Sequence, residues 1–225
     1  MAKKRKKRVF KIKNIIILLV ILLLLVGMFC YVLNMPVKNI YISGNVMVDD
    51  NEILSLSGLD KYPSFLLTTK SKIKKSILNN KYIEDVIVRK KFKGIIELEI
   101  VEYRAIAKSI DNKVIISNGD VLENIYNISD IPRLVSDLDG NMVREFGPKF
   151  KKMDDNVLRE ISEIEYSPIL VDSDRFLLYM NDGNFVYVTL TKVDKMNKYN
   201  DIKDELMGKK GVIYLDSGDY VELKG

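Results

Sequence analysis

The chain has 225 residues, 47% apolar and 30% charged, with 36 basic and 31 acidic side chains and a net charge of +5. This balance excludes a disordered chain, and the absence of histidine and tryptophan removes the commonest metal ligand and the commonest general base. A single cysteine leaves no partner for an intramolecular disulfide.

The opening MAKKRKKRVFKIK holds eight positive charges and no negative one. Such a run suits a nucleic-acid patch or the cytoplasmic flank of a membrane helix, and the next segment decides between them. IIILLVILLLLVGMFCYVL, Ile15 to Leu33, contains no charged residue. As a helix it is roughly 28 Å long, close to the hydrocarbon thickness of a bilayer. It exceeds the apolar core of a cleavable signal peptide, and Cys30-Tyr31-Val32-Leu33-Asn34-Met35-Pro36 offers no small-x-small cleavage site. The segment therefore reads as an uncleaved signal anchor. Its basic flank keeps residues 1–14 in the cytoplasm and sends the rest across. Without that flank, 28 basic residues face 31 acidic ones, a net of −3, so the exported part has no general attraction for nucleic acid. Cys30 falls inside the anchor and reads as apolar filler.

After the anchor, Val37 to Val48 alternates β-branched, aromatic and polar residues and predicts a strand interrupted at Gly44-Asn45. Asp49-Asp50 caps a short helix, NEILSLSGL, ended by Gly58. In TTKSKIKKSILNN, Ile73, Ile77 and Leu78 form one helical stripe. DVIVRKKF and IIELEIVEY alternate with period two and meet around Lys93-Gly94 as an antiparallel hairpin. The order is β-α-α-β-β.

From Ala107 strands shorten and turns multiply. KVIISNGDVLENI reads as strand, turn, strand; IPRLVSDLDGN as a strand closed by an Asp-Gly turn. DDNVLREISEIEY places Val157, Leu158, Ile161 and Ile164 on one helical face with Asp154 as N-cap. RFLLYMNDGNFVYVTL is a hairpin turning at Asp182-Gly183. KVDKMNKYNDIKDELMG is a helix with Val193, Met196, Tyr199, Ile202 and Leu206 inward and Gly208 as terminator. Two short strands around Asp216-Ser217-Gly218-Asp219 end the chain.

Chemistry is sparse. Ser71-x-x-Lys74 matches the Ser-x-x-Lys element of penicillin-recognising enzymes, but no Lys-Thr-Gly or Ser-x-Asn companion follows, and a solvated lysine-rich helix face explains it better. Asp49-Asp50 and Asp154-Asp155 stand where helix N-termini favour carboxylates. Asp216-Ser217-Gly218-Asp219 has too few oxygen ligands for a calcium loop. No glycine-rich phosphate loop is present. The residues thus imply no catalytic site, no cofactor and no metal. They suggest a protein that holds partners, and exposed strand edges do so by main-chain hydrogen bonding.

Four motifs in order carry a family resemblance. VKNIYISGNVMVDDNEILSLSGL resembles the opening of a POTRA domain of the FtsQ/DivIB type, and VIVRKKFKGIIELEIVEYRAIA resembles its closing hairpin. NDGNFVYVTLTKVDKM and GVIYLDSGDYVEL are similar to the family's later strand-to-helix element and its C-terminal strands. The chain departs from the family pattern at Glu102-Tyr103-Arg104-Ala105 and at Tyr214-Leu215-Asp216.

The resemblance implies an α+β protein: tail 1–14, anchor 15–33, POTRA domain 36–106, and a β-rich mixed α+β domain 107–225. It implies a non-catalytic scaffold of the bacterial cell membrane, enriched at the division septum, that binds FtsL-like and FtsB/DivIC-like bitopic proteins and acts through them on the septal peptidoglycan synthase complex. Partner contact by strand addition would fall on Leu215, Asp216, Ser217, Gly218, Asp219, Tyr220, Val221 and Leu223. The plainer reading of Tyr220 and Leu223 is that they finish a domain core. A membrane-anchored enzyme acting on peptidoglycan is the competing class, and it would need a nucleophile or paired carboxylates in a cleft.

Overall fold

The computed structural model describes residues 12–224, so the basic run Lys3 to Arg8 lies outside the described residues. Helix α1, Ile12–Leu33, is 22 residues long and carries no acidic residue in its first turn. It is long and apolar enough to cross a bilayer, and is the one such helix among the described residues. None of its side chains is buried by the protein, as expected of a surface made for lipid. The chain is an α+β protein led, among the described residues, by this one long apolar helix.

Two compact units follow. The first takes residues up to Asn45, Asp49–Asn80 and Asp85–Ile100; the second takes Val46–Val48, Lys81–Glu84 and everything from Val101. In the first, β1 (Asn39–Ser43), β2 (Ile83–Lys91) and β3 (Ile95–Glu102) form a sheet ordered β1-β3-β2, with α2 (Asp50–Ser57) and α3 (Lys70–Ile77) connecting β1 to β2. β1 runs parallel to β3, pairing Asn39 with Ile95 through Ser43 with Glu99. Asp49 caps α2 by accepting the Asn51 N–H, and Gly58 ends it at φ +68°. Thr69 caps α3 by accepting the Lys72 N–H at 3.2 Å. Ile53, Leu59, Ile73, Ile77, Ile96 and Leu98 are buried.

The strand expected to run to Val48 stops at Ser43. Gly44 turns the chain at φ +87°, where a Cβ would stand 2.4 Å from the Ile100 carbonyl oxygen, so only glycine fits. Beyond it the N–H groups of Met47 and Val48 donate to the Glu102 carboxylate, both at 2.9 Å, which replaces the ladder by a carboxylate clamp.

The second unit is built on a nine-stranded sheet ordered β12-β11-β10-β9-β8-β7-β4-β5-β6. Its strands are β4 (Ala105–Lys108), β5 (Lys113–Ile116), β6 (Val121–Glu123), β7 (Arg133–Leu134), β8 (Ile161–Tyr166), β9 (Arg175–Met180), β10 (Phe185–Thr189), β11 (Gly211–Tyr214) and β12 (Tyr220–Leu223). Helices α4 (Gly140–Phe150), α5 (Asp155–Arg159) and α6 (Tyr199–Glu205), with a 3₁₀ helix over Leu190–Lys198, supply the rest. Phe146 stacks on Phe150 with centroids 4.1 Å apart, and Phe176 of β9 lies against both. Tyr199 is fully buried, its hydroxyl donating to Asp182 at 2.8 Å.

Three expectations fail here. Asp139-Gly140 is not a turn closing a strand: Asp139 accepts the N–H groups of Asn141 and Met142 and starts α4, leaving β7 only two residues. The helix over DDNVLREISEIEY stops at Arg159, and ISEIEY is β8. Asp154 stands at the N-cap but makes no side-chain cap bond. The long helix from Lys192 to Gly208 is divided, with a 3₁₀ helix through Lys198 and α6 after it.

Candidate functional site

The sequence-predicted partner segment is the turn between β11 and β12 and the strand that follows. β11 pairs parallel with β10, Val212 opposite Phe185, and antiparallel with β12, Ile213 opposite Val221. Among the described residues β12 has no neighbour on its other side, so it stands as the edge of the sheet. Lys224 donates its N–H to the Lys210 carbonyl at 2.9 Å, and Gly211 faces Leu223 in register. Antiparallel partners alternate between hydrogen-bonded and non-bonded pairs. The main-chain groups of Tyr220 and Glu222 therefore point at β11, while those of Val221 and Leu223 point outward, ready to pair with an added strand.

The turn is pinned from beneath. Leu215 and Asp216 are buried, at 4% and 3% exposure. The Arg175 guanidinium meets the Asp216 carboxylate at 2.6 Å and stands over the Tyr187 ring, its central carbon 3.6 Å from the centroid. Lys192 donates to the Asp216 carbonyl and Ser217 Oγ to Asp216 Oδ1. Lys195 bonds both oxygens of Asp219, at 2.5 and 2.7 Å. Gly218 and Asp219 take φ of +150° and +54°, residue types that tolerate this region.

On the outer face, Tyr187, Tyr214 and Tyr220 of three successive strands stack, with centroids 5.4 and 4.6 Å apart. Desolvation first, and the Glu222 carboxylate beside it second, push the Tyr214 hydroxyl up from its ordinary value. Tyr220 and Leu223 are 50% and 49% exposed, so they do not finish a core; Val221 packs against it. The structure thus divides the eight residues into an anchor, Leu215 and Asp216, and an exposed edge from Ser217 to Leu223. Sequence reasoning missed Arg175, Tyr187, Lys192 and Lys195, which hold the turn. They lie 24 or more residues away, on β9, β10 and the 3₁₀ helix, and only the strand order joins them.

Elsewhere Lys74, the lysine of the Ser-x-x-Lys match, is ion-paired with Asp85 on the surface. Among the described residues, no three His, Cys, Asp or Glu side chains converge to hold a metal ion.

Residues 35–103 match the model of the POTRA domain, FtsQ-type. The chain is 32% identical over 193 residues to the cell division protein DivIB of Bacillus subtilis (strain 168), covering 83% of this chain and 73% of that one. It is 30% identical over 234 residues to the cell division protein DivIB of Listeria monocytogenes, covering 98% and 84%. A solved structure of the major extracytoplasmic domain of DivIB from Geobacillus stearothermophilus is 32% identical, covers 47% of this chain and 95% of its own, and superposes with a TM-score of 0.41.

Proposed function

Since the chain belongs to the DivIB family of cell division proteins, we propose that it is a non-catalytic scaffold of the divisome that takes a partner's strand onto β12. The orientation that goes with this reading puts residues 1–14 in the cytoplasm, Ile15 to Leu33 in the bilayer and the remainder outside, at the division septum. The partners are the FtsL-like and FtsB/DivIC-like bitopic proteins that the family resemblance implies, and through them the septal peptidoglycan synthase complex.

One observation carries the reading. β12 is a sheet edge whose Val221 and Leu223 main-chain groups face away from β11, after a turn tied down by the buried Arg175–Asp216 pair. A preset strand lowers the ordering cost of binding. A partner strand would bond to backbone, so proline discriminates. Val221→Pro deletes an outward donor and leaves the β11 ladder intact. It should weaken binding of an FtsB/DivIC-like ectodomain roughly 5–150-fold, the equivalent of about 1–3 kcal/mol. Binding to the full chain in micelles is measured by titration calorimetry, with circular dichroism reporting the fold. Unchanged affinity in folded Val221→Pro protein would place the partner elsewhere.

A further inference from the structure

The first unit gathers apolar side chains at the end of the sheet where the chain leaves the bilayer helix. Only residues 34–38 separate α1 from β1, and β1 is parallel to β3 with Asn39 opposite Ile95. The β2–β3 turn, Phe92-Lys93-Gly94, therefore lies at the helix end of the sheet. Phe92 at its tip is 87% exposed. A second segment, residues 62–68, is fastened to the same place: Ser64 Oγ donates to the Leu33 carbonyl, the Phe65 N–H to Met35 at 2.8 Å and the Val37 N–H to Pro63 at 2.9 Å. It presents Leu66 and Leu67, 47% and 65% exposed.

Between these segments opens a cavity of about 670 Å³ lined by Val32, Met35, Phe65, Leu66, Phe92 and Ile95. Lys38 and Lys93 stand at its rim. Nearby Arg89 and Lys91 are neutralised by Glu99 and Glu97. Three stretches distant in sequence thus bring aromatic and aliphatic groups, with Lys38 and Lys93 beside them, to the point where a membrane helix ends. Exposed Phe and Leu side chains beside a membrane surface bury at the headgroup–acyl boundary, and lysines extend beside them to anionic phosphates.

We propose that this collar seats the first unit on the lipid surface, with Phe92, Leu66 and Leu67 in the headgroup–acyl boundary and Lys38 and Lys93 against anionic phospholipid. The unit is then an oriented platform on the membrane, independent of what β12 binds.

The absence of tryptophan makes the test direct. Phe92→Trp and Leu67→Trp each place a sole tryptophan on an exposed position, and Ser43→Trp, at the far end of β1 in the same unit, is the control. The full chain is reconstituted without partners in nanodiscs of phosphatidylcholine and phosphatidylglycerol in equal parts. Lipids brominated in the upper acyl chain should quench Phe92→Trp and Leu67→Trp roughly twofold or more and leave Ser43→Trp little changed. Adding Lys38→Glu and Lys93→Glu, or omitting phosphatidylglycerol, should reduce that quenching. Solvent-like, unquenched emission at both collar positions overturns the proposal. So does shielding that appears only when a bitopic partner protein is added, which would make the collar a protein docking surface.

Discussion

Arg175 and Asp216 show how a single pair can fix the turn that leads into a sheet edge. Both side chains are nearly inaccessible, at 12% and 2% exposure, and they meet at 2.6 Å. A buried pair adds little over an apolar pair of the same shape, but removing one partner strands the other charge. Arg175→Ala should therefore cost about 3–5 kcal/mol, measured by urea unfolding of the chain in micelles. Arg175→Lys keeps the charge and loses the guanidinium placed over the Tyr187 ring, so it should fall between wild type and alanine. Equal stability of all three proteins would mean that Asp216 is satisfied by Ser217 and other neighbours alone. A different residue reports on pH. Tyr179 donates to the Glu165 carboxylate at 2.5 Å, and this bond, then burial, pushes its hydroxyl up to about 12. The folded state holds that proton more tightly than the unfolded chain, so the contribution is full below about pH 10 and is lost as pH rises towards 12. The stability gap between wild type and Tyr179→Phe should narrow across that window in unfolding curves at stepped pH. A gap that widens there would reverse the sign of the argument.

At the scale of elements, the failures in reading the sequence have physical causes. The sequence of β8 suggests helix because Ile161 and Ile164 are three apart, and three is a helical spacing. Both are buried in a strand because the β8–β9 register shifts between Ile161 and Glu163, and the irregularity takes up the extra residue. The stripe at Leu190, Val193, Met196, Tyr199 and Ile202 repeats every three residues, and three per turn is the period of the 3₁₀ helix found there through Lys198. α4 was hidden by Gly147 and Pro148 in its last turns, although Met142, Val143, Phe146 and Phe150 mark its inner face. Capped helices and glycine-turned hairpins were legible, because caps and turns are local chemistry. The edge strand β12 was legible as alternation at Tyr220 to Leu223. Its clamp was not, because strand order is not local. Gly147 shows what sequence propensity misses. A Cβ there would stand 2.4 Å from the Ile116 carbonyl oxygen and 2.6 Å from the Gly119 nitrogen, both backbone atoms that cannot swing aside. Gly147→Ala should thus lose about 1–3 kcal/mol to overpacking, outweighing a helix-propensity gain of about 1 kcal/mol. Gly140→Ala in the same helix meets nothing within 4 Å and should be neutral or slightly stabilising. Thermal unfolding of the two variants checks the pair, and equal shifts would remove the close packing of α4 on the β5–β6 turn as the explanation.

For the whole molecule, charge is divided in a way that its total conceals. Eight of the 36 basic residues precede Ile15, and the remainder of the chain carries a net of −3. A basic isoelectric point of about 9.0 therefore says little about the part that follows α1. Two consequences separate orientation from nucleic-acid binding as the use of that charge. If the flank sets orientation, replacing Lys3, Lys4, Arg5, Lys6, Lys7 and Arg8 by glutamine removes most of the bias that holds the N-terminus inside, while α1 keeps its length and apolarity. The variant should still enter the membrane but in both orientations. In cells stripped of wall, added protease should digest the C-terminal part of the wild-type chain almost completely and leave a substantial protected fraction of the variant. If instead the flank serves nucleic acid, the variant should keep its orientation and lose salt-dependent DNA retention. An unchanged protease pattern with lost DNA binding would refute the orientation argument, and with it the placement of β12 outside the cell.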